Sequence, residues 1–152
     1  MRTIQSKRRR KFAEGTSVAV EKTKAELDAL LVKFGATQRA LFQDDDSGRA
    51  AIQFRMCDRM IRLELKCQKP LIDNPKERAK SEQNAREVWR RLLLVTKAKL
   101  EIVADGASTV EREFLADIML PDGSRVHDKL APQIADSYQS GQMPPLLPPR
   151  ST

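Results

Sequence analysis

The sequence predicts a single α+β domain in which a three-stranded antiparallel sheet packs on helices. Apolar residues repeat at helical spacing over positions 23–34 and then alternate with polar residues through three short segments between positions 36 and 67. A longer helical repeat follows at positions 85–103. This order predicts an αβββα core with additional C-terminal helices. A chain of 152 residues with 40% hydrophobic content is large enough to bury such a core.

The first helix is predicted to begin at Thr23. Thr23 and Glu26 match the capping box, in which each side chain accepts a hydrogen bond from a backbone N–H at the helix start. Gly35 follows the last apolar residue, at the position where glycine commonly ends a helix. The apolar face between these two points contains Leu27, Leu30, Leu31 and Phe34. We therefore expect a helix of about three turns with one apolar face.

Three strands are predicted next, separated by a turn at 44–48 and a turn at 57–59. The second strand spans 49–56 and the third spans 61–67, with apolar residues recurring at every second position. A sheet with this pattern is an antiparallel meander with one buried face and one solvated face. We expect no aromatic residue on the solvated face. Its predicted basic residues are Arg39, Arg55, Arg62 and Lys66.

A long helix is predicted after the sheet. The polar segment 68–84 contains two prolines, so we expect it to be a loop that leads into this helix. Over 85–103 the apolar residues occupy one half of the helical surface. Arg86, Arg90 and Lys97 fall within a narrow arc opposite. This arc is a second candidate basic surface.

The C-terminal third is predicted to contain two further helices. Ser108 and Glu111 form a second capping box, which predicts a short helix. The sequence Pro-Asp-Gly at 121–123 predicts a tight turn. A last helix is expected over 128–138. No run of apolar residues in the chain approaches the roughly 18 to 20 needed to cross a bilayer, so we expect no membrane association.

Composition along the chain predicts three parts. Residues 1–17 are polar and basic without a hydrophobic period and are predicted to be a flexible arm. Residues 18–142 form the single α+β domain, and 143–152 form a proline-rich tail of extended conformation. Two cysteines are too few for a disulfide framework, which favours a reducing compartment.

The charge distribution indicates an acidic partner. The chain carries 28 Lys and Arg against 21 Asp and Glu, for a formal net charge of +7. Six of the basic residues lie in the first eleven positions, which contain no acidic residue. Nucleic acid, bound mainly through its phosphates, is the partner we predict. The candidate binding residues are Lys7, Arg8, Arg9, Arg10, Lys11, Arg39, Arg55, Arg62, Lys66, Arg86, Arg90 and Lys97.

Candidate catalytic chemistry is sparse. Glu64-Leu65-Lys66 on the third strand matches the E-x-K half of the metal-dependent PD-(D/E)xK nucleases, which these elements resemble in order. The second strand has no acidic residue at the position of that family's Asp. The more favoured interpretation of Glu64 is therefore an ion pair across the solvated face. His127 is the only histidine, so a metal cluster or catalytic pair built from two histidines is excluded. Because no catalytic signature stands out, we expect no metal, no cofactor and a protein that is not an enzyme.

Much of the chain after the arm resembles small uncharacterised proteins encoded by bacteriophages and prophages. The residues that carry this resemblance lie at 20–26, 33–36, 52–56, 89–95 and 114–123. The resemblance implies a phage or prophage context, and with it the cytoplasm of the host cell, but no particular reaction.

The predicted function is that of a non-enzymatic phage accessory protein that binds DNA or RNA. One alternative is a protein-interaction inhibitor, such as an anti-defence or host-takeover factor that blocks a host machine. The nuclease is a minor alternative. The preferred nucleic acid and the oligomeric state stay open at this point.

Deletion of residues 1–11 should weaken binding to nucleic acid and reduce its dependence on salt. Each phosphate contact contributes about 0.9 to the slope of log affinity against log salt on B-DNA, so losing six cations lowers the slope by at most about five. Fluorescence anisotropy with labelled oligonucleotides at several salt concentrations measures this slope. An affinity that does not change with salt would contradict the electrostatic interpretation.

Overall fold

Three antiparallel strands form one sheet, and helices cover one of its faces. The computed structural model describes residues 12–70, 72–143 and 145. The elements, in chain order, are α1 Val20–Lys33, β1 Thr37–Asp44, β2 Arg49–Met56, β3 Arg59–Lys66, α2 Pro75–Ala104, α3 Val110–Glu113, a 3-10 turn Leu115–Asp117 and α4 Val126–Ser140. The predicted α+β fold with its three-stranded antiparallel sheet is confirmed.

The strands pair in the order β1-β2-β3, as a meander. In β2, Ile52 lies between Leu41 of β1 and Leu63 of β3, and Phe54 lies beside Ile61 of β3. Because directly paired residues share a face of an antiparallel sheet, these side chains together form the inner face. This face packs against α1 and α2 in the hydrophobic core.

The centre of the core contains the three largest fully buried side chains, those of Trp89, Phe54 and Phe114. The rings of Phe54 and Phe114 meet edge to face, with centroids 5.7 Å apart and planes at 86°. Trp89 Nε1 donates a hydrogen bond to Gln43 Oε1 at 3.1 Å. This bond satisfies the indole N–H and ties α2 to the end of β1.

The capping box predicted at Thr23 is wrong. The first helix begins at Val20, and Thr23 is completely buried inside it. The side-chain oxygen of Thr23 has no hydrogen-bond partner among the described residues. Val20 packs against the core, which draws the helix start to this earlier residue and turns Thr23 inward.

The loop predicted over 68–84 is wrong for most of its length, because α2 begins at Pro75. Asn74 caps the helix, and its Oδ1 accepts a hydrogen bond from the N–H of Glu77 at 2.8 Å. The first three turns of α2 contain no fully buried residue, so they show no apolar period. Asparagine followed by proline is nevertheless a common helix start, and this local pattern marks the boundary.

The first helix after α2 is shorter than predicted, whereas the last, α4, extends beyond the predicted 128–138 at both ends. Thr109, not Ser108, caps α3, and its Oγ1 accepts a hydrogen bond from the N–H of Arg112. The chain then extends along the edge of β3, where the N–H of Met119 donates to the carbonyl of Met60 at 2.8 Å. The predicted turn at 121–123 follows, closed by a hydrogen bond from the N–H of Leu120 to the carbonyl of Ser124.

Candidate functional site

The solvated face of the sheet, which we call the outer face, carries a cluster of charged residues around one aromatic ring. Phe42, Ala51 and Glu64 lie side by side across the three strands. On one side of this row Gln53 pairs with Arg62, and on the other side Asp44, Arg49 and Lys66 form the end row of the sheet. The strand pairing therefore places one aromatic residue among several charged residues.

The carboxylate of Glu64 is contacted by three arginines. Its oxygens lie 2.7 Å from Arg62 Nε, 3.3 Å from Arg49 Nη1 and 3.5 Å from Arg125 Nη2. The Glu64 side chain is only 15% exposed, so these interactions are partly shielded from water. Arg125 is the residue immediately before α4. Its Nε also lies 3.4 Å from Asp128 Oδ2.

The cluster carries more positive than negative charge. Arg49, Arg62, Arg125 and Lys66 supply four cations, whereas Glu64, Asp128 and Asp44 supply three carboxylates. Among the residues that the structure describes, Lys66 has no carboxylate partner within ion-pair distance. One unit of positive charge is thus left over for an anion that approaches this face.

Phe42 also lies on the outer face, where we had predicted no aromatic residue, and that prediction is wrong. Its side chain is 42% exposed, and the Arg62 guanidinium carbon lies 5.3 Å from the ring centroid. Ala51 belongs to β2, the strand between those that carry Phe42 and Arg62, and is only 2% exposed. The alternation of β1 contained the information, because a residue next to the inward-facing Leu41 must face outward.

Arg39 is not on the outer face, contrary to our prediction. A bulge interrupts the pairing of β1 between Thr37 and Ala40, and Arg39 shares the parity of the inward-facing Leu41. Its Nε donates to Asp28 Oδ1 of α1 at 2.7 Å. Arg39 therefore joins the sheet to the first helix.

The other predicted sheet residues are on the outer face. Arg62 and Lys66 belong to the cluster around Glu64, and Arg55 lies toward the opposite end of the strands. The Nη2 of Arg55 is 3.5 Å from Asp58 in the β2–β3 turn. This exposed ion pair leaves Arg55 well solvated.

Arg86, Arg90 and Lys97 belong to the helical layer, so the sheet and core separate them from the outer face. Arg90 Nη1 lies 2.5 Å from Glu26 Oε2 of α1. Leu93, a neighbour of both Arg90 and Lys97 on the helix surface, is buried. Arg90 thus lies beside α1. The prediction that the stripe lies opposite the apolar side is wrong, because the buried arc of α2 extends to Leu93.

The basic run of Lys7, Arg8, Arg9, Arg10 and Lys11 lies outside the described residues, as does most of the proline-rich tail. The residues that follow the run are held on α2. Arg91 Nε donates to the carbonyl of Phe12 at 2.8 Å, and the N–H of Gly15 donates to Glu87 Oε1 at 3.0 Å. The chain immediately after the basic run is therefore attached to the helical layer.

A large apolar groove, which we call the α4 groove, separates α3 and the 3-10 turn from α4. Its volume is about 1360 Å³. Leu115 lies on one wall, and Ile134 and Tyr138 lie on the other. None of the 15 residues of α4 is buried, and Tyr138 is 90% exposed. The groove is larger than a typical small-molecule pocket.

The described residues contain no cluster of three His, Cys, Asp or Glu side chains that could hold a metal ion. Three guanidinium groups surround Glu64, and their positive charge disfavours the binding of a metal cation there. His127 is exposed at the start of α4, and its Nδ1 lies 3.6 Å from Asp128. Among the described helices, none has the length and apolar composition needed to span a membrane.

Asp117, close to the cluster around Glu64, has a raised pKa. Burial raises the pKa of Asp117, and the positive charges of Lys99, Arg125 and His127 oppose this shift. Lys99 of α2 is half-buried. Its Nζ donates to the carbonyl of Glu113 at 2.7 Å, at the end of α3.

No protein family model, curated protein or solved structure matches the chain.

Asp117→Asn should change stability in a pH-dependent way. The raised pKa of Asp117 means that the folded state holds the proton more tightly than the unfolded state, whose pKa is about 3.9. Ionisation of Asp117 therefore costs stability as the pH rises above this value, and the Asn variant avoids that cost. Urea unfolding at several pH values between 3 and 7 should show that the free energy of unfolding of the variant increases relative to that of wild type as the pH rises.

Asp122→Asn is the matched control, with the opposite sign. Hydrogen bonds from Lys129 and Ser124 lower the pKa of Asp122, so its contribution to stability is present above the unfolded pKa and is lost in acid. This variant should therefore lose stability relative to wild type as the pH rises. Parallel behaviour of the two variants would contradict the assigned environments.

Proposed function

We propose that this protein is a non-enzymatic nucleic-acid-binding protein that holds DNA or RNA on the outer face of its sheet, mainly through phosphate contacts. The observation that carries the proposal is the convergence of Arg49, Arg62 and Arg125 on the single carboxylate of Glu64. The phage or prophage context that the sequence suggests is part of the proposal.

The carboxylate of Glu64 orients the arginines without neutralising all of them. A guanidinium has five N–H donors, and a contact with Glu64 uses only part of this capacity. The remaining donors can bind phosphate, for which the planar guanidinium is well suited. Because Glu64 already restricts the arginine side chains, less conformational entropy is lost when the anion binds.

Lys66 extends the cluster to the end of the sheet. It pairs with Arg49 across β2 and β3, so two cations face outward side by side. Such contacts position a nucleic acid but do not read its sequence. The basic run of residues 7–11 would add long-range attraction, which makes binding fast and sensitive to salt.

Simultaneous substitution Arg49→Gln and Lys66→Gln should weaken nucleic-acid binding by roughly tenfold at low salt. Removing two phosphate contacts should also lower the slope of log affinity against log salt by about two. Fluorescence anisotropy measures both quantities, and circular dichroism checks the fold.

The matched control is Lys76→Gln with Lys97→Gln, which removes the same charge from exposed positions on α2. It should change the affinity much less. An equal loss in the two double variants would contradict binding at the outer face, because only net charge would then matter.

A protein-interaction inhibitor is the second candidate function, and the α4 groove favours it. Leu115 and Ile134 are about half exposed on facing walls, and an exposed apolar surface of this kind is typical of interaction sites. The partner we infer is a host protein that presents the apolar side of an amphipathic helix.

Ile134→Glu should abolish capture of such a partner, because it buries a charge in the contact. Ile102→Glu on α2 is the matched control, since Ile102 and Ile134 have similar exposure. The captured protein would be identified by mass spectrometry, purified and titrated against each variant. Retention of the partner by Ile134→Glu at wild-type affinity would contradict the use of the groove.

A further inference from the structure

We propose that the nucleic acid bound on the outer face is single-stranded and that one of its bases stacks on the ring of Phe42. This inference rests on the proposed function and names the class of nucleic acid that the same site accepts. It is carried by the exposure of Phe42, its contact with Arg62 and its position beside the cluster around Glu64.

The ring of Phe42 is available to a base. It is 42% exposed, although a ring of this size is normally buried. Arg62 reaches it from β3, across Ala51 of the central strand. The other side of the ring therefore faces away from β3, toward the unpaired edge of β1. In the described part of the chain β1 is an edge strand. A base that enters from this edge can stack on the ring while Arg62 holds the opposite side.

The contact with Arg62 prepares the ring for this role. Because Arg62 Nε is also held by Glu64 at 2.7 Å, the guanidinium is fixed over the ring. Arg62 then lies over one side of the ring and the base over the other, so the cation–π contact of Arg62 holds the ring in place while the base stacks on it. The three side chains form one connected unit from the aromatic ring to the carboxylate.

The phosphate-binding residues lie at a suitable distance from the ring. The row that contains Phe42 and the row that contains Arg49 and Lys66 are two residues apart along β2, which is about 7 Å. This separation is comparable to one nucleotide of an extended strand. A base on Phe42 thus leaves a neighbouring phosphate within reach of Arg49 and Lys66.

The same geometry disfavours a duplex. Bases in a duplex are stacked on one another, and only their edges are accessible, within the grooves. A ring on a sheet surface can stack only with a base that is free of such neighbours. Single-stranded DNA or RNA meets this condition.

The test compares two probes with equal numbers of phosphates, a single-stranded oligothymidylate and an abasic oligonucleotide of the same length. Phe42→Ala should weaken binding of the oligothymidylate by about tenfold and leave binding of the abasic probe nearly unchanged. Tyr138→Ala, which removes an exposed aromatic ring from α4, is the control and should bind both probes as wild type does.

The outcomes separate this inference from the proposed function. If wild type binds both probes equally tightly, stacking is overturned and phosphate binding stands. If wild type binds neither probe, both proposals fail. Equal affinity for the oligothymidylate and for its duplex with oligoadenylate overturns the preference for single strands.

Phe42→Trp provides a spectroscopic readout that a merely structural role of the ring would not produce. Trp89 is the only tryptophan of the chain and is completely buried, so its emission should be insensitive to a stacked base. The variant should retain wild-type affinity, and oligothymidylate should quench the emission of its added tryptophan. Absence of quenching under saturating probe overturns the stacking geometry.

Discussion

The register of the central strand β2 is the constraint on which the outer face depends. Its residues Ala50, Ile52, Phe54 and Met56 are buried in the core, so the residues between them must face the other way. A shift of one residue would place Arg49 and Arg55 in the core, at a cost far above the stability of a domain this size. The same register brings Phe42 and Glu64 to either side of Ala51. The packing of the core and the composition of the outer face are therefore fixed together.

Sequence patterns were sufficient where burial follows a simple period. The limits of β2 agree with the alternation of its residues because that strand packs its whole inner face on the core. The same patterns failed at the starts of α1 and α2, where burial does not follow the apolar period. The first turns of α2 lie in solvent and show no period, and Thr23 is buried in α1 although its spacing to Glu26 imitates a cap. At α1 tertiary packing decides the boundary. At α2 the local pair of Asn74 and Pro75 decides it, and the apolar period does not.

The candidate site was only partly predictable for a related reason. Parity along β3 places Arg62 and Lys66 correctly, because that strand is regular. Arg39 lies within the bulge of β1, and its side chain faces inward like that of Leu41 and reaches Asp28. Arg125 could not be assigned to the cluster from sequence, because it approaches Glu64 from a distant part of the chain. Long-range contacts of this kind depend on how the elements pack.

The bulge in β1 has a consequence for solubility. A regular edge strand presents a continuous row of free backbone groups on which a second molecule can add a strand. In β1 the row is interrupted between Thr37 and Ala40, and at its other end Asp44 leads into a turn with two further acidic residues. Over part of the opposite edge, Ile118 pairs with Ile61 of β3. Both edges of the sheet are thus poor templates for intermolecular β-pairing, which protects a half-open sheet from growing into aggregates.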